Sequence, residues 1–471
     1  MARRQLISKC LAAACINRPL CVQVQTSSRN VTGKRGVAVK SPGFGHPPPL
    51  LLHIPPLVTR PQLQHFSTAS HAIGDSSPML DSTTLSHNGK TCLLRWQDGF
   101  QSEFHSVWLR HSCHCPLCRH DNGQRLLDPA TIQASCTMER IQQTGSYLEI
   151  LWRQNGEYHS GHVPIEFLRD HNYNEETMLA TRKRVKCAKS VTEIPTVQYD
   201  EIRSSQKGLL KWLQQINEAG LSIVKGVPTE DSMVLEVAEL IAPVSKGIYG
   251  YTFDVEAMPD AINVAYTNVH LDLHMDLVYF ESPPGLQLLH CLKFDQQVEG
   301  GESVFLDVFS IVDEFRAEYP HLFDTLTKVP ATFQKVHYDR DYPVHIVNQK
   351  PHIKLNHLGE VIAVYWAPPF EGPLAVAAED VENYYRAYEM FAKALAESAH
   401  MLRYRLQPGD LVIFNNLRIL HGRDHFTLNG GMRHLKGCYL NIDLFKSKTQ
   451  VLSKLVGDGR PAKRVGNQCF F

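Results

Sequence analysis

His274 and Asp276 stand two residues apart, and a second histidine, His421, follows much later within IFNNLRILHGR. Two imidazoles and one carboxylate are the ligand types that cover one face of an Fe(II) octahedron and leave positions for dioxygen and a co-substrate. In a strand, positions i and i+2 face one side, so the spacing predicts that His274 and Asp276 share a metal while Met275 points away. A lone HxD in a chain with 24 histidines is a weak signal, but its surroundings strengthen it. The run at 410–415 opens on a Pro408-Gly409 turn and reads as a short strand just ahead of His421. Arg423 and Arg433 supply cations nearby. For Arg423 a salt bridge and a ligand contact weigh equally, and Arg418 reads as structural.

A second cluster is independent of the first. Cys113, Cys115 and Cys118 put three thiols within six residues, enough to surround one soft metal ion if a fourth ligand arrives from elsewhere. Tetrahedral Cys3His sets of this kind hold structural zinc, and four protein ligands leave no open catalytic position. His159, just after an Asn155-Gly156 turn, is the best fourth ligand. His111, His114, His120 and His162 stay open as competitors. The remaining cysteines among the 12 are scattered, and a chain this long does not need disulfide staples.

The elements that must position these residues follow from periodicity. Residues 93–96, an Asp98-Gly99 turn and residues 104–109 predict one hairpin; residues 148–152, the Asn155-Gly156 turn and residues 165–168 predict another. This approximate echo suits a small sheet. A helix is predicted over 207–217, with Leu209, Leu210, Leu213 and Ile216 inward and Gly220 as its stop. A strand at 221–226 follows, then a helix capped at Asp231 or Ser232 and running to Ala242. Residues 286–291 have the apolar density of a buried central strand. The aromatic stripe of a helix over 379–400 reads as packing.

Composition sets outer bounds. The 471 residues carry zero formal net charge, 43% hydrophobic and 20% charged residues. No electrostatic footprint for nucleic acid appears, and no apolar stretch is long enough to span a membrane. The first 74 residues hold nine Lys or Arg and no Asp or Glu. That composition matches a mitochondrial transit peptide, so the mitochondrial matrix is the expected location, with the cytoplasm as alternative. The expected organisation is a presequence and disordered extension at 1–74, a small zinc-binding β domain at 90–170 and a linker at 171–200. A dioxygenase domain at 201–455 and a tail at 456–471 complete it.

Several runs together carry a resemblance: NVAYT at 263–267, HMD at 274–276, PPGLQLLHC at 283–291, GG at 300–301, HGR at 421–423 and RHLKGCY at 433–439. Over roughly residues 90–455 the chain resembles the gamma-butyrobetaine hydroxylase and trimethyllysine dioxygenase family of iron- and 2-oxoglutarate-dependent dioxygenases, and gamma-butyrobetaine hydroxylase more closely. The resemblance implies Fe(II) on His274, Asp276 and His421. It places the far carboxylate of 2-oxoglutarate on Arg433 and structural zinc on Cys113, Cys115, Cys118 and His159. Tyr249, Phe253, Tyr266 and Tyr439 fall on the family's aromatic cage for a trimethylammonium group, with Phe253 where tryptophan stands in the relative. Asn263 matches a contact to the substrate carboxylate. Ascorbate is a candidate stimulant, dioxygen and a small trimethylammonium compound are the implied partners, and a homodimer is left open.

Two departures bear on the substrate. Leu277 stands where the butyrobetaine enzyme has an aromatic hydroxyl, and YWAPPF at 365–370 replaces an asparagine-rich strand end. The expected activity is hydroxylation of gamma-butyrobetaine to carnitine, with succinate and carbon dioxide as co-products. The alternatives are 3-hydroxylation of trimethyllysine, another small betaine as substrate, or a vestigial iron-free scaffold. The expected fold is mainly β with flanking helices: a double-stranded β-helix, or jelly roll, as catalytic core, preceded by the small zinc-binding β domain.

Overall fold

The computed structural model describes residues 79–182, 193–257, 267–339, 342–463 and 465. The acid-free segment 1–74, Asn263, Tyr266 and parts of the expected linker and tail lie outside the described residues.

Leu286–Phe294 is buried without interruption from Leu286 to Cys291, as a strand covered on both faces must be. It lies between two antiparallel neighbours, Leu411–Asn415 and Arg433–Leu440. Leu221–Lys225 and the parallel Thr196–Gln198 extend this sheet on one side, and Phe253–Glu256 on the other, giving six strands. Alternation along the strands sorts the side chains. Leu286, Leu288, Leu411 and Ile413 pack in one cluster with residues of the helices Gln206–Ala219, Met233–Glu239 and Ile442–Val456. Gln287, Leu289, Leu435 and Tyr439 instead line a cavity. A second sheet contributes to that cavity: Leu271–His274, Ile419–Arg423, Ser303–Asp307 and Leu402–Tyr404, in that order.

The closed jelly-roll core expected from the sequence is not formed. The described strands divide into seven separate sheets, none of which closes on itself, and helices separate many of them, so the fold is mixed α/β. Closure needs edge strands long enough to zip with a fixed stagger. Here the edges are short: Thr196–Gln198 and Leu402–Tyr404 have three residues each and Phe253–Glu256 has four. Apolar density and turn residues predict that strands exist; they do not encode which edges meet.

Local expectations fare better where the chemistry is local. Gln206–Ala219 buries the predicted stripe, the Ser205 hydroxyl accepts the Gly208 N–H, and Gly220 ends the helix at φ 82°. A side chain at that left-handed position would be strained. The next helix is shorter than expected, Met233–Glu239. Val381–Ala396 buries Tyr384, Ala387, Phe391 and Leu395 against the core, so its aromatics are packing.

Near the start of the described chain, each half is larger than the predicted hairpin. Three strands, Leu80–Leu85, Thr91–Trp96 and Gln101–His105, are followed by the helix Ser106–His111; Thr137–Thr144, Tyr147–Gln154 and Glu157–Pro164 are followed by Ile165–Asp170. The run at 104–109 is therefore not one strand, because the chain leaves the sheet after His105. Asn155 and Gly156 have φ of 50° and 83°, the pair of left-handed residues that a tight two-residue hairpin demands.

Candidate metal centre and its cavity

The strand Leu271–His274 pairs with Ile419–Arg423 so that His274 faces His421 directly. Their rings lie 4.3 Å apart between centroids. Asp276 is not on that strand, which ends at His274. A clamp places it instead. The Asn416 side chain accepts the Asp276 N–H at 2.9 Å and donates to the Asp276 carbonyl at 2.9 Å and the Pro284 carbonyl at 3.1 Å. The result is one ligand atom each from His274, Asp276 and His421, all within 4.8 Å of one another.

Hydrogen bonds set the chemistry of each ligand. The Asp272 carbonyl can only accept, so His274 donates Nδ1–H to it at 2.8 Å and keeps Nε2 for a metal. The Tyr439 hydroxyl donates to Asp276 Oδ2 at 2.7 Å. Burial opposes charge on Asp276, but the His274 contact, the charges of His421 and His274 and the Tyr439 hydroxyl outweigh it and hold the carboxyl well below its usual range. Burial, with His274 adding repulsion, pushes His421 down to about 3. A carboxylate beside the neutral imidazole of His421 suits ligation of a cation.

The cavity beside these ligands has a cationic end. Arg433 is buried, lies 5.3 Å from the Phe294 ring and 5.5 Å from that of Phe426, and its Nε has no hydrogen-bond partner. Burial and then the neighbouring Arg423 push it down to about 9, which leaves it charged at neutral pH. Among the described residues no carboxylate forms a direct ion pair with Arg433, and a buried cation left so is costly, so this site fits the carboxylate of an anionic co-substrate. Arg423 donates to the carbonyls of Thr267 and Val269 at 2.8 Å each, which anchors the strand that carries His274. Arg418 is structural: fully buried, it forms a fork with Asp307 at 2.6–3.1 Å.

Aromatic rings line the same cavity. Phe253 stacks on Tyr439 at 4.9 Å, Tyr249 lies 6.5 Å from Phe253, and its hydroxyl is 3.5 Å from that of Tyr279. Phe370 meets Tyr279 edge-on at 5.2 Å. Of the residues singled out in sequence, His274, Asp276, His421, Arg433, Tyr249, Phe253 and Tyr439 all line this one cavity. Sequence reasoning missed Tyr279, Gln287 and the Asn416 clamp. Tyr279, three residues past Asp276, was open to detection by proximity; Asn416 was masked by its place at the end of an apolar strand.

Cys113, Cys115, Cys118 and His159 also converge. His159 Nε2 lies 3.5, 3.6 and 3.5 Å from the three sulfurs in turn. Zinc bonds of ~2.3 Å to sulfur and ~2.0–2.1 Å to nitrogen at tetrahedral angles give a sulfur–nitrogen edge of roughly 3.5 Å, so the cluster fits a metal of that size. Gly161 completes the cradle, since a Cβ there would stand 2.4 Å from Cys113 Sγ. Burial, then Arg110, lowers the His159 pKa and keeps its ring neutral. Competitors point elsewhere: His114 donates to the Ser112 carbonyl and His162 packs on Tyr147.

Residues 184–439 match the model of the taurine catabolism dioxygenase TauD, TfdA family, more than half of the chain. Residues 83–169 match the gamma-butyrobetaine hydroxylase-like N-terminal family. The chain is similar to a gamma-butyrobetaine dioxygenase of Pseudomonas sp. (strain AK-1), 32% identical over 77% of this chain and 93% of the relative. It is also similar to a trimethyllysine dioxygenase of Meyerozyma guilliermondii, 28% identical over 78% and 95%, and to the human gamma-butyrobetaine dioxygenase, 26% identical over 78% and 95%.

Proposed function

This chain belongs to the TauD, TfdA dioxygenase family and is an Fe(II)- and 2-oxoglutarate-dependent dioxygenase, and from that premise we propose that it hydroxylates gamma-butyrobetaine to carnitine. When bound, iron and 2-oxoglutarate would supply an oxidative decarboxylation by dioxygen, one oxygen atom entering succinate as carbon dioxide leaves and the other entering an unactivated C–H bond of the substrate. The chain supplies aim. His274, Asp276 and His421 hold the metal, and Arg433 receives the far carboxylate of the co-substrate through its charged guanidinium.

The observation that carries the substrate reading is the aromatic wall of Tyr249, Phe253, Tyr279, Phe370 and Tyr439 on the cavity that holds the metal ligands. A quaternary ammonium has no N–H to donate, and ring faces are its natural partner, each worth about 0.5–2 kcal/mol. Phe370 comes from the 365–370 segment that departs from the relatives, so that departure still contributes a ring. Leu277 lines the same cavity with an apolar side chain where the butyrobetaine enzyme has an aromatic hydroxyl, and this departure weighs against butyrobetaine rather than for it. The relatives named above support butyrobetaine first and trimethyllysine second. The Cys3His cluster we assign to structural zinc.

The deciding experiment reconstitutes the chain with Fe(II) under nitrogen, then supplies dioxygen, 2-oxoglutarate and each betaine, and reads hydroxylated product by mass. Carnitine from butyrobetaine is expected. An uncharged tert-butyl analogue turned over equally well would reject the aromatic cage. Preferential 3-hydroxylation of trimethyllysine would keep the cage and replace the substrate.

A further inference from the structure

Gln287 lies on the cavity face of the central strand, directly across from Tyr439. It is only 2% exposed, and its Oε1 is buried without a hydrogen-bond partner. Leaving a buried amide unmet costs about 1–3 kcal/mol. An apolar side chain of the same size would remove that cost, so the amide calls for a ligand that meets it.

The position narrows the ligand. Arg433 pairs with Phe294 and Gln287 pairs with Tyr439. These two polar groups therefore stand six residues apart along Arg433–Leu440, roughly 20 Å of strand. Gln287 is at the end where Tyr439 touches Asp276; Arg433 is at the other. Between them the cavity face carries Leu289, Leu435 and Gly437, with no other amide. A carboxylate gripped by Arg433 is thus not the one that Gln287 meets.

Hydrogen-bond inventory narrows it again. Neither 2-oxoglutarate nor gamma-butyrobetaine has a donor, so only the NH2 end of the amide can serve them. Rotation about the last side-chain torsion is soft and exchanges the two ends. We infer that the Gln287 carboxamide is a ligand-binding group of this site, donating its N–H to a carboxylate held at the metal end of the cavity. That carboxylate belongs either to the metal-proximal end of 2-oxoglutarate or to the betaine, and the inference rests on the proposed chemistry above.

Gln287→Leu and Gln287→Glu test it by calorimetry on the Fe(II)-loaded, oxygen-free protein. One arm titrates 2-oxoglutarate; the other titrates gamma-butyrobetaine with 2-oxoglutarate present. Melting without either ligand is recorded in parallel. Gln287→Leu should weaken one arm by roughly ten- to a hundredfold while the melting temperature holds or rises. Gln287→Glu should weaken the same arm further, through like-charge repulsion. The affected arm identifies the carboxylate. If both arms stay within twofold of the parent protein, or if melting falls while affinities hold, Gln287 is a structural residue and the inference is wrong. Failure of the parent protein to bind butyrobetaine would count against the substrate reading alone, since the 2-oxoglutarate arm still tests Gln287.

Discussion

The carboxamide of Asn416 grips both backbone polar groups of Asp276, and it is fully buried. No hydrophobic alternative can replace three hydrogen bonds at once, so Asn416→Ala should leave Asp276 adrift without removing a ligand. Outer partners of metal ligands typically govern affinity by about 10–100-fold, and Mn(II) titration of the variant should show a loss of that size. Unchanged Mn(II) affinity would mean that the turn after Asp276 holds itself. At the other end of the cavity, Arg433→Ala should raise the KM for 2-oxoglutarate by the equivalent of about 2–5 kcal/mol and leave the KM of the hydroxylated substrate nearly unchanged. A 2-oxoglutarate KM equal to that of the parent protein would remove Arg433 from this role. The metal ligands were legible because the runs around His274, Asp276 and His421 strengthened a spacing that is weak by itself among 24 histidines. Asn416 was not, since an asparagine at the end of an apolar strand reads as an ordinary turn.

At the scale of elements, the segment after Asp276 is held by a hairpin far away in sequence. Pro330–His337 and Val344–Pro351 pair along their full length. From the second strand, Asn348 donates to the Tyr279 carbonyl at 2.9 Å, and Lys350 donates to the carbonyls of Val278 and Phe280. Three consecutive carbonyls are thus fixed by two side chains. Leu277, at φ 54°, sits in the left-handed region that a leucine rarely adopts, and it stays there because its flanks are held. Burial, followed by repulsion from Lys354, pushes Lys350 down to about 8. Lys350→Met should lower stability by about 1–3 kcal/mol through the carbonyls left unmet. It should also let 2-oxoglutarate be consumed without matching hydroxylation, because Asp276 and Tyr279 both hang from this segment. The ratio of succinate to hydroxylated product measures that leak, and a ratio equal to the parent's would confine Lys350 to stability. The buried strand Leu286–Phe294 and the stop at Gly220 were legible from local chemistry. The open sheets were not, since edge pairing is a long-range property that apolar density does not carry, and for the same reason the place of Asp276 beyond its strand escaped the i, i+2 rule.

Across the whole molecule, two clusters of ligating side chains are built on opposite plans. His274, Asp276 and His421 offer three ligand atoms beside a cavity, which leaves room for chemistry; Cys113, Cys115, Cys118 and His159 offer four atoms around one point and leave none. The four-ligand cluster joins the loop after Ser106–His111 to the strand Glu157–Pro164, and so ties together the two sheet-and-helix halves of the region 79–170. Metal binding at such a site is coupled to folding. About one zinc per chain should remain after dialysis against a weak chelator, in addition to any iron. Cys115→Ser should lose that zinc, but a lost ligand also changes a buried side chain. Gly161→Ala is the cleaner variant: it replaces no ligand, its backbone is not left-handed, and its added methyl would crowd the cluster, 2.4 Å from Cys113 Sγ and 3.0 Å from His159 Nε2. It should lower zinc content and weaken protection from hydrogen exchange across 79–170, while His162→Ala, which removes a competing imidazole packed on Tyr147, should retain the metal. Full zinc occupancy in Gly161→Ala, or its loss in His162→Ala, would show that this cradle is not where the metal sits.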